Sequence, residues 1–544
     1  MSIQAAADLQ LSSRARLEIL GAMLLALFLF ALDQTIVGTA LPVIVTDLDG
    51  NALYVWVVTA YLLTATISGP IYGKLSDLYG RRPVIIFAVS LFLIASVLSG
   101  LSQNIGQLIL FRGLQGLGGG AIFPVALAVV ADLYTPAERG KYLGLFGAVF
   151  GLSFLLGPAI GGIITDNFGW RWIFFVNVPI GLVSLVIIGR LLPAIKRPDA
   201  GRNIDYLGVS AFALAITLFL IGLTNKASGE WADPAVGGLI LAGLAFGALF
   251  VWIESRAANP IVPLTLFRNR NFSVSVGAMF LTAFGFFGAV IFLPRWFQTV
   301  LGASATESGY SILPLLVGLV ISAIASGQIV ARTGRYKVLM LGSLILLAVG
   351  LFMMTNLKTD TDRLMLSLAM VLTGLGVGPS FAVFTLVVQN SVAPARIGVA
   401  TGSLTFFQQI GGTIGLTLGS TVLASRLVEE IPIQLVAAGV PPPIVDGFAG
   451  GSGIDLTGTG DLGQRILATV PPEAQALIAP LIENIVAGIY EAFSIAIGAS
   501  FYVGIVAAIL AFVFVVFLRE EPMRTTFDFE DEAPAEAEVE VAPG

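Results

Sequence analysis

One acidic residue stands deep inside an apolar stretch, where an ionisable group is costly. Asp33 lies in the long apolar run of residues 17–46, and no other acid lies so deep in such a run. An ionised side chain at the centre of a bilayer costs about 2.5–3.5 kcal/mol, so its presence implies a use. Burial favours the protonated form and a nearby cation favours the ionised form, so the charge of Asp33 can differ between two conformations. We interpret Asp33 as a proton carrier. The alternative is a carboxyl group that only hydrogen-bonds neighbouring helices.

A single arginine inside another apolar run is the natural partner for this acid. Arg112 stays protonated, so it cannot carry a proton, but it can bias a carboxylate or hold helix carbonyl groups. Counting 1.5 Å per residue along the helices separates Arg112 from Asp33 by about 10 Å, so contact needs the long side chain or a bridging water. A purely structural role as a staple between helices is the rival interpretation. Gln115 follows one turn later on the same face.

Other chemistries lack the residues they need. The chain has no His and no Cys, so histidine metal sites, thiol chemistry and disulfides are excluded and any proton handling must use carboxylates. Neither Gly73-Lys74 nor Gly140-Lys141 completes a phosphate-binding loop, and the serine-elbow and zinc-protease motifs are missing. We therefore expect no enzyme activity, no metal, no cofactor, no ATP and no nucleic-acid partner. A proton gradient remains as the energy source.

The segments that must hold these residues are apolar and numerous. The chain is 56% apolar and 11% charged, with a mean hydropathy of +0.93, so water cannot be its main solvent. Runs of about 20 apolar residues cross about 30 Å of hydrocarbon, and they must be helical because lipid offers the backbone no hydrogen bonds. The sequence predicts fourteen spans, at residues 17–46, 52–74, 84–102, 107–131, 142–165, 171–192, 205–224, 235–254, 272–294, 306–331, 338–356, 364–388, 398–424 and 491–518.

Positive charge predicts the orientation of these spans. Placing the N-terminus in the cytoplasm puts most of the 28 Lys and Arg residues on that side of the membrane. Short cytoplasmic loops are enriched in these residues, so both termini are expected inside the cell, with the protein in the plasma (inner) membrane.

A repeated sequence indicates two halves. The turn at residues 73–82 follows the second span, and a similar turn at residues 327–337 follows the tenth, with Ala331 where the first copy has Asp77. Internal repeats of this kind are typical of transporters. The predicted divisions are a cytoplasmic N-terminus (1–16), a six-helix bundle (17–192), a linker with two extra helices (193–271), a second six-helix bundle (272–518) that includes an outer loop (425–490), and an acidic disordered cytoplasmic tail (519–544).

Several motifs together point to one family. Residues 73–82 resemble the loop 2–3 signature of the major facilitator superfamily, residues 112–116 its fourth-span signature and residues 157–162 its antiporter signature. Segments 32–42, 170–179 and 293–302 are similar to the fourteen-span drug:proton antiporter family. The resemblance covers about residues 20–420 and implies an all-α major facilitator fold and proton-coupled export of many compounds.

The resemblance also implies roles for individual residues. It implies a conformational latch between the two bundles, formed by Gly73, Asp77, Gly80, Arg81 and Arg82. Small residues at helical spacing allow close helix packing, and the resemblance links this packing to antiport at Gly147, Gly151, Gly157, Pro158, Gly161 and Gly162.

Polar and aromatic residues within spans are candidates for a substrate cavity, although polar groups in spans also join helices. Gln408 stands where similar proteins often have a basic residue, so their substrate preferences do not transfer. The candidates are Tyr61, Gln115, Gln298, Asn390, Phe407, Gln408 and Gln409.

Three functions remain open at this point. The first is a multidrug antiporter with amphipathic small-molecule substrates, working as a monomer in the lipid bilayer. The second is an exporter of a native lipid or lipid-like metabolite on the same frame. The third is a non-transporting receptor or scaffold, which has no need of a buried acid such as Asp33.

Overall fold

The computed structural model describes residues 12–48, 53–193, 205–226, 229–257, 260–448, 462–469, 475 and 478–523. Regular structure within these ranges is helical, without strands. Eleven of the helical segments are long and apolar enough to cross a membrane. Three further long helices, of 26, 33 and 41 residues, pack among them.

The first bundle contains six long segments, of which the sixth is broken at Val176. Gly80 separates two of its helices with a backbone φ of +94°, a value that favours glycine. Asn104 and Thr135 each begin a helix as its N-cap. The helices are α1 (Ser13–Asp47), α2 (Tyr54–Tyr79), α3 (Arg81–Gly100), α4 (Ile105–Leu133), α5 (Pro136–Phe168), α6 (Trp172–Phe175) and α7 (Asn177–Leu191).

Two helices follow as an inserted hairpin. Asp205 caps α8 (Tyr206–Asn225), and a short π-helical segment, Pro234–Gly238, leads into α9 (Leu239–Glu254). Gly243 lets the two helices approach closely, because a Cβ there would lie 2.6 Å from the backbone nitrogen of Phe219.

The second bundle follows the hairpin. Pro379 is the last residue of one of its helices, and a π-helical segment, Ser380–Phe384, joins this helix to the next. Its helices are α10 (Arg270–Leu301), α11 (Ala305–Ser311), α12 (Leu313–Thr333), α13 (Lys337–Met354), α14 (Arg363–Pro379), α15 (Thr385–Ser391), α16 (Ile397–Ala437), α17 (Pro442–Phe448), α18 (Leu462–Thr469) and α19 (Ile482–Val516).

The inserted hairpin lies against the seam between the two bundles. Phe212 on α8 has its ring centroid 5.2 Å from that of Phe250 on α9 and 5.0 Å from that of Phe406 on α16. Ile67 on α2 joins the same apolar cluster. The hairpin therefore contacts both bundles through aromatic and aliphatic side chains.

The predicted outer loop at 425–490 is partly helical. Helix α16 continues to Ala437, well past the apolar run, and Arg426 bonds Glu429 at 3.0 Å while Gln434 bonds Glu430 at 3.1 Å. Pairs three and four residues apart stabilise a helix outside lipid, which explains the extension. Residues 449–461 of this loop, residues 194–204 of the linker, residues 1–11 and most of the predicted acidic tail (524–544) lie outside the described residues.

Candidate functional site

Asp33 and Arg112 form a direct ion pair inside the first bundle. Nη1 of Arg112 on α4 lies 2.5 Å from Oδ2 of Asp33 on α1, and each residue is only 1% exposed. The long arginine side chain spans the offset expected from residue counting, so no bridging water is needed. A guanidinium–carboxylate bond in surroundings of low polarity is strong, and loss of either partner leaves the other charge buried.

Two amides complete the coordination of the acid. Gln115 donates from Nε2 to Oδ1 of Asp33 at 2.9 Å, and Asn177 donates from Nδ2 to the same oxygen at 3.0 Å. Gln115 also accepts from Nη1 of Arg112 at 2.8 Å. Both Asp33 oxygens therefore accept hydrogen bonds, an arrangement that fits the ionised carboxylate.

Neighbouring helices hold these side chains in place. The guanidinium of Arg112 lies over the ring of Tyr61, 4.2 Å from the ring centroid, and the Tyr61 hydroxyl donates to the Phe30 carbonyl at 3.4 Å. Ser96 on α3 accepts from Asn177 at 3.0 Å and donates to the Phe174 carbonyl at 2.8 Å. Four helices and the break before α7 thus fix one buried polar network, which we call the acid–arginine network.

Two buried atoms of this network have no hydrogen-bond partner among the described residues. They are Nε of Arg112 and Oδ1 of Asn177. Buried polar groups are usually paired, so these two atoms give the network hydrogen-bonding capacity that the described residues do not use.

The predicted latch residues form a second buried cluster, at the end of α2. Asp77 bonds Arg81 at 2.5 Å, and Nε of Arg81 bonds Asp132 on α4 at 2.9 Å. Asp77 also accepts from the backbone amides of Gly398 at 3.2 Å and Val399 at 2.9 Å. These amides begin α16, so a carboxylate of the first bundle caps a helix of the second, where the helix dipole favours negative charge.

The other latch residues support this contact. Gly73 allows the approach, because a Cβ there would lie 2.6 Å from the Gly398 carbonyl oxygen. Gly80 makes the turn between α2 and α3. Arg82 donates to the Gly189 carbonyl, which belongs to its own bundle.

Glycines replace charges in the matching contact on the other side of the seam. A Cβ on Gly140 or on Gly327 would overlap the carbonyl oxygen of the other residue. Ala331, at the position that corresponds to Asp77, lies beside Gly140. The two bundles therefore meet through a charged contact and through a glycine contact. We call the end of the protein that carries Asp77, Gly140, Gly327 and Gly398 the latch end.

The predicted packing glycines of α5 face two different partners. A Cβ on Gly147 or Gly151 would touch Ala323 at 3.0 Å or Val320 at 2.8 Å, both on α12 of the second bundle. Gly157 and Gly161 instead pack on Thr35 and Ile36 of α1 in their own bundle. Helix α5 thus packs on α12 of the second bundle through Gly147 and Gly151 and on α1 of its own bundle through Gly157 and Gly161. The two remaining members of this set, Pro158 and the half-buried Gly162, lie in the same helix.

The predicted cavity residues do not form one site. Tyr61 and Gln115 belong to the acid–arginine network. Gln298 is exposed near the end of α10 and donates to Ser308 at 2.8 Å, and Asn390 donates to the Pro522 carbonyl at 3.4 Å, at the latch end.

The aromatic and amide candidates on α16 lie near the hairpin seam. Phe407 stacks edge-on with Phe406 at 5.3 Å and lies 6.1 Å from Phe267. Gln408 is 7% exposed and Gln409 is half-buried on the same helix. That these three residues line a cavity stays a prediction.

Sequence reasoning missed several members of both clusters. Asn177 donates to both Asp33 and Ser96, while Asp132 and Gly398 complete the latch. An amide in the apolar run before Pro179 was the available signal for Asn177. Ser96 and Gly398 belong to residue types that are common in spans, and Asp132 stands at the end of an apolar run, so only the fold brings these three residues to their sites.

These features define a multi-pass helical membrane protein with two bundles, a buried ion pair and a charged contact between the bundles. Residues 23–416 match the model of the Major Facilitator Superfamily. The chain belongs to this family.

Two relatives indicate which kind of superfamily member the chain resembles. Multidrug transporter protein MdtP of Bacillus subtilis (strain 168) is 35% identical over 504 residues, which cover 91% of this chain and 92% of that protein. Multidrug resistance protein 3 of the same organism is 36% identical over 411 residues, 75% of this chain and 80% of that protein. The predicted resemblance to multidrug exporters of this superfamily is confirmed.

A solved structure supports the fold. The proton:xylose symporter XylE bound to 6-bromo-6-deoxy-D-glucose has a TM-score of 0.62 to this chain at 16% identity, covering 95% of this chain and 98% of that one. At this identity the likeness concerns the arrangement of helices alone.

Proposed function

We propose that this protein is a proton-coupled antiporter that exports amphipathic organic compounds across the plasma membrane. The observation that carries the proposal is the buried Asp33–Arg112 pair, 2.5 Å apart, in a chain without His. A carboxylate that can be neutralised either by a proton or by an arginine is a means of coupling proton binding to a conformational change. The multidrug names of the relatives favour the substrate class.

The membrane arrangement is part of this proposal. The three long helices α2, α5 and α16 cross the membrane with the eleven apolar segments, giving fourteen spans with both termini in the cytoplasm. The latch end is then the cytoplasmic end. The protein works as a monomer, needs no cofactor and draws its energy from the proton gradient.

The network suggests how a proton acts. In the conformation with the latch closed, Asp33 is ionised and bound to Arg112, Gln115 and Asn177. A proton that enters from the outer side neutralises Asp33 and removes its attraction for Arg112. Arg112 then leaves Asp33 and bonds another acceptor. The altered packing of α1 against α4 favours opening of the latch end. Substrate binding and release of the proton to the cytoplasm restore the ion pair.

Asn177 can accept a hydrogen bond from the protonated form of Asp33. Its Oδ1 has no hydrogen-bond partner among the described residues. Rotation of the amide by half a turn would present this oxygen to a protonated Asp33 and accept its hydrogen. The same residue can therefore stabilise both charge states of the acid, which lowers the cost of changing between them.

Transport into proteoliposomes with an imposed pH gradient tests the proposal. Cationic, neutral and lipid-like amphiphiles should be compared, with collapse of the gradient by an ionophore as the control. We expect gradient-dependent accumulation of several amphipathic compounds. Accumulation that ignores the gradient would refute proton coupling, and movement of lipid substrates alone would identify a lipid exporter.

A further inference from the structure

The base of the inserted hairpin contains two carboxyl groups that face each other. Asp205 immediately precedes α8, and Glu254 is the last residue of α9 and is 3% exposed. Gly208 lies next to both carboxyl groups. A Cβ on Gly208 would be 2.7 Å from Oδ2 of Asp205 and 2.8 Å from Oε1 of Glu254. These distances place the two groups within the range of about 4–6 Å in which like charges oppose each other's ionisation.

Each carboxyl group has one oxygen in use and one unused. Oδ1 of Asp205 accepts from the Gly208 amide at 2.8 Å, and Oε1 of Glu254 accepts from the Ile261 amide at 3.1 Å. Oδ2 of Asp205 and Oε2 of Glu254 are buried without a hydrogen-bond partner in the described part of the chain. A proton on either group removes one of the two opposing negative charges, because a protonated carboxyl group is neutral.

Among the residues that the structure describes, no cation lies within ion-pair distance of either carboxyl group. Lys74 on α2 lies within electrostatic range of Glu254, of Asp77 in the latch and of Arg396. Arg256, two residues after Glu254, is exposed and lies over the ring of Trp252 at 4.2 Å. Lys74 is thus shared between the hairpin base and the latch.

We propose that Asp205 and Glu254 share one proton and form a second proton-binding site, separate from Asp33 and linked electrostatically to the latch through Lys74. With the proton bound, the pair carries one negative charge. When the proton leaves to the aqueous phase at the latch end, the pair carries two, and its stronger attraction for Lys74 competes with Asp77. The inserted hairpin thereby senses the pH on the side where the latch opens.

Infrared spectroscopy of the purified protein detects this proton without any transport measurement. The experiment uses the Asp33→Asn background, so that Asp33 does not contribute. We expect a carboxyl C=O band at neutral pH that disappears on alkaline titration and is lost in the Glu254→Gln variant. Glu429→Gln is the matched control, because Glu429 is exposed and paired with Arg426, and the band should persist. A band unchanged by Glu254→Gln would overturn the proposal.

Two further variants test whether Asp205 and Glu254 share the proton and whether Lys74 links them to the latch. Asp205→Asn keeps the helix cap but removes the like charge, so the band should disappear at a pH lower by about one unit. Lys74→Met removes the cation that favours ionisation, so the band should persist to higher pH. Disappearance of the band at the parental pH in Asp205→Asn would show that Glu254 holds its proton alone and refute the sharing. The same result in Lys74→Met would refute the link to the latch. Because the readout is spectroscopic, it is independent of whether Asp33 couples transport.

Discussion

Gly140 and Gly327 pack backbone against backbone across the two bundles, with no room for a side chain on either. The contact lies at the same end as the Asp77 carboxylate that caps α16. A charged contact can be weakened by protonation or by a competing cation, whereas a glycine contact depends only on shape. At the latch end the two bundles therefore meet through one contact that responds to charge and one that does not.

A methyl group on Gly327 should prevent full closure. We expect Gly327→Ala to favour the conformation with the latch end open, because a Cβ there overlaps the Gly140 carbonyl oxygen. The chain has no Cys, so a single Val320→Cys on the α12 face that packs against Gly151 can report opening by maleimide labelling. Labelling should be faster with Gly327→Ala than without it. Gly342→Ala is the control, since a Cβ at Gly342 meets nothing within 4 Å, and equal labelling in all three proteins would contradict the prediction.

Asp33→Asn should abolish gradient-driven export while folded protein remains in the membrane. Asparagine can still accept from Arg112 but cannot bind and release a proton. Transport into proteoliposomes should fall to the level of vesicles without protein. Asp233→Asn, at an exposed helix cap where asparagine serves equally well, should transport like the parent. Undiminished export by Asp33→Asn would remove this residue from the mechanism.

Arg112→Lys should impair coupling, and Arg112→Ala should impair it more. The guanidinium bonds Asp33 and Gln115 and lies over Tyr61, and a lysine ammonium lacks the planar head that does all three. Breaking a buried pair by removing one partner costs about 3–5 kcal/mol, so Arg112→Ala should also unfold more readily. Thermal unfolding measured beside transport separates the two effects. Loss of stability with intact coupling in Arg112→Lys would favour the staple interpretation.

The acid–arginine network shows what sequence could predict. Asp33 and Arg112 are identifiable because each is a lone charge in an apolar run, where the energetic cost makes it conspicuous. The spans themselves follow from apolar length, although α16 continues to Ala437 because polar pairs carry the helix past the membrane run. Charged residues that are costly to bury and apolar runs long enough to span a membrane can thus be predicted from the sequence.

Features that depend on the crossing of helices were not predictable. Asn177 reaches Asp33 across 144 positions of sequence, and Gly398 reaches Asp77 across 321. Asn390 resembles a cavity residue in sequence but lies at the latch end, bonded to Pro522. A polar residue in a span can face a cavity, another helix or a helix end with the same local sequence. Only the packing distinguishes these positions.

Acid should weaken the contact of Asp47 with Trp170 and Arg171, which lies at the end of the first bundle opposite the latch end. A hydrogen bond from Trp170 at 2.9 Å, together with Arg171 at 3.1 Å, lowers the pKa of Asp47 below its ordinary value of 3.8. A lowered pKa means that the contact stabilises the folded protein above the ordinary value and loses this effect as the pH falls through the lowered one. Tryptophan emission in an acid titration should therefore show a transition below about pH 4 that is missing in Asp47→Asn. The same transition in both proteins would place it elsewhere.

The number of protons in the cycle should decide which substrates are exported. Exchange of one proton at Asp33 for a monocation moves no net charge, so only the pH difference, about 1.4 kcal/mol per unit, drives it. A neutral substrate makes the exchange electrogenic and adds about 2.3 kcal/mol per 100 mV, whereas a dication must leave against the membrane potential. Neutral and singly charged amphiphiles should therefore be concentrated better than dications.

The measurement compares a monocation with its dicationic analogue in vesicles in which pH gradient and potential are varied independently. Equal export of both, insensitive to potential, would contradict a cycle that uses one carboxylate. If this equality disappeared in Glu254→Gln, the proton at the hairpin base would belong to the transport cycle as well.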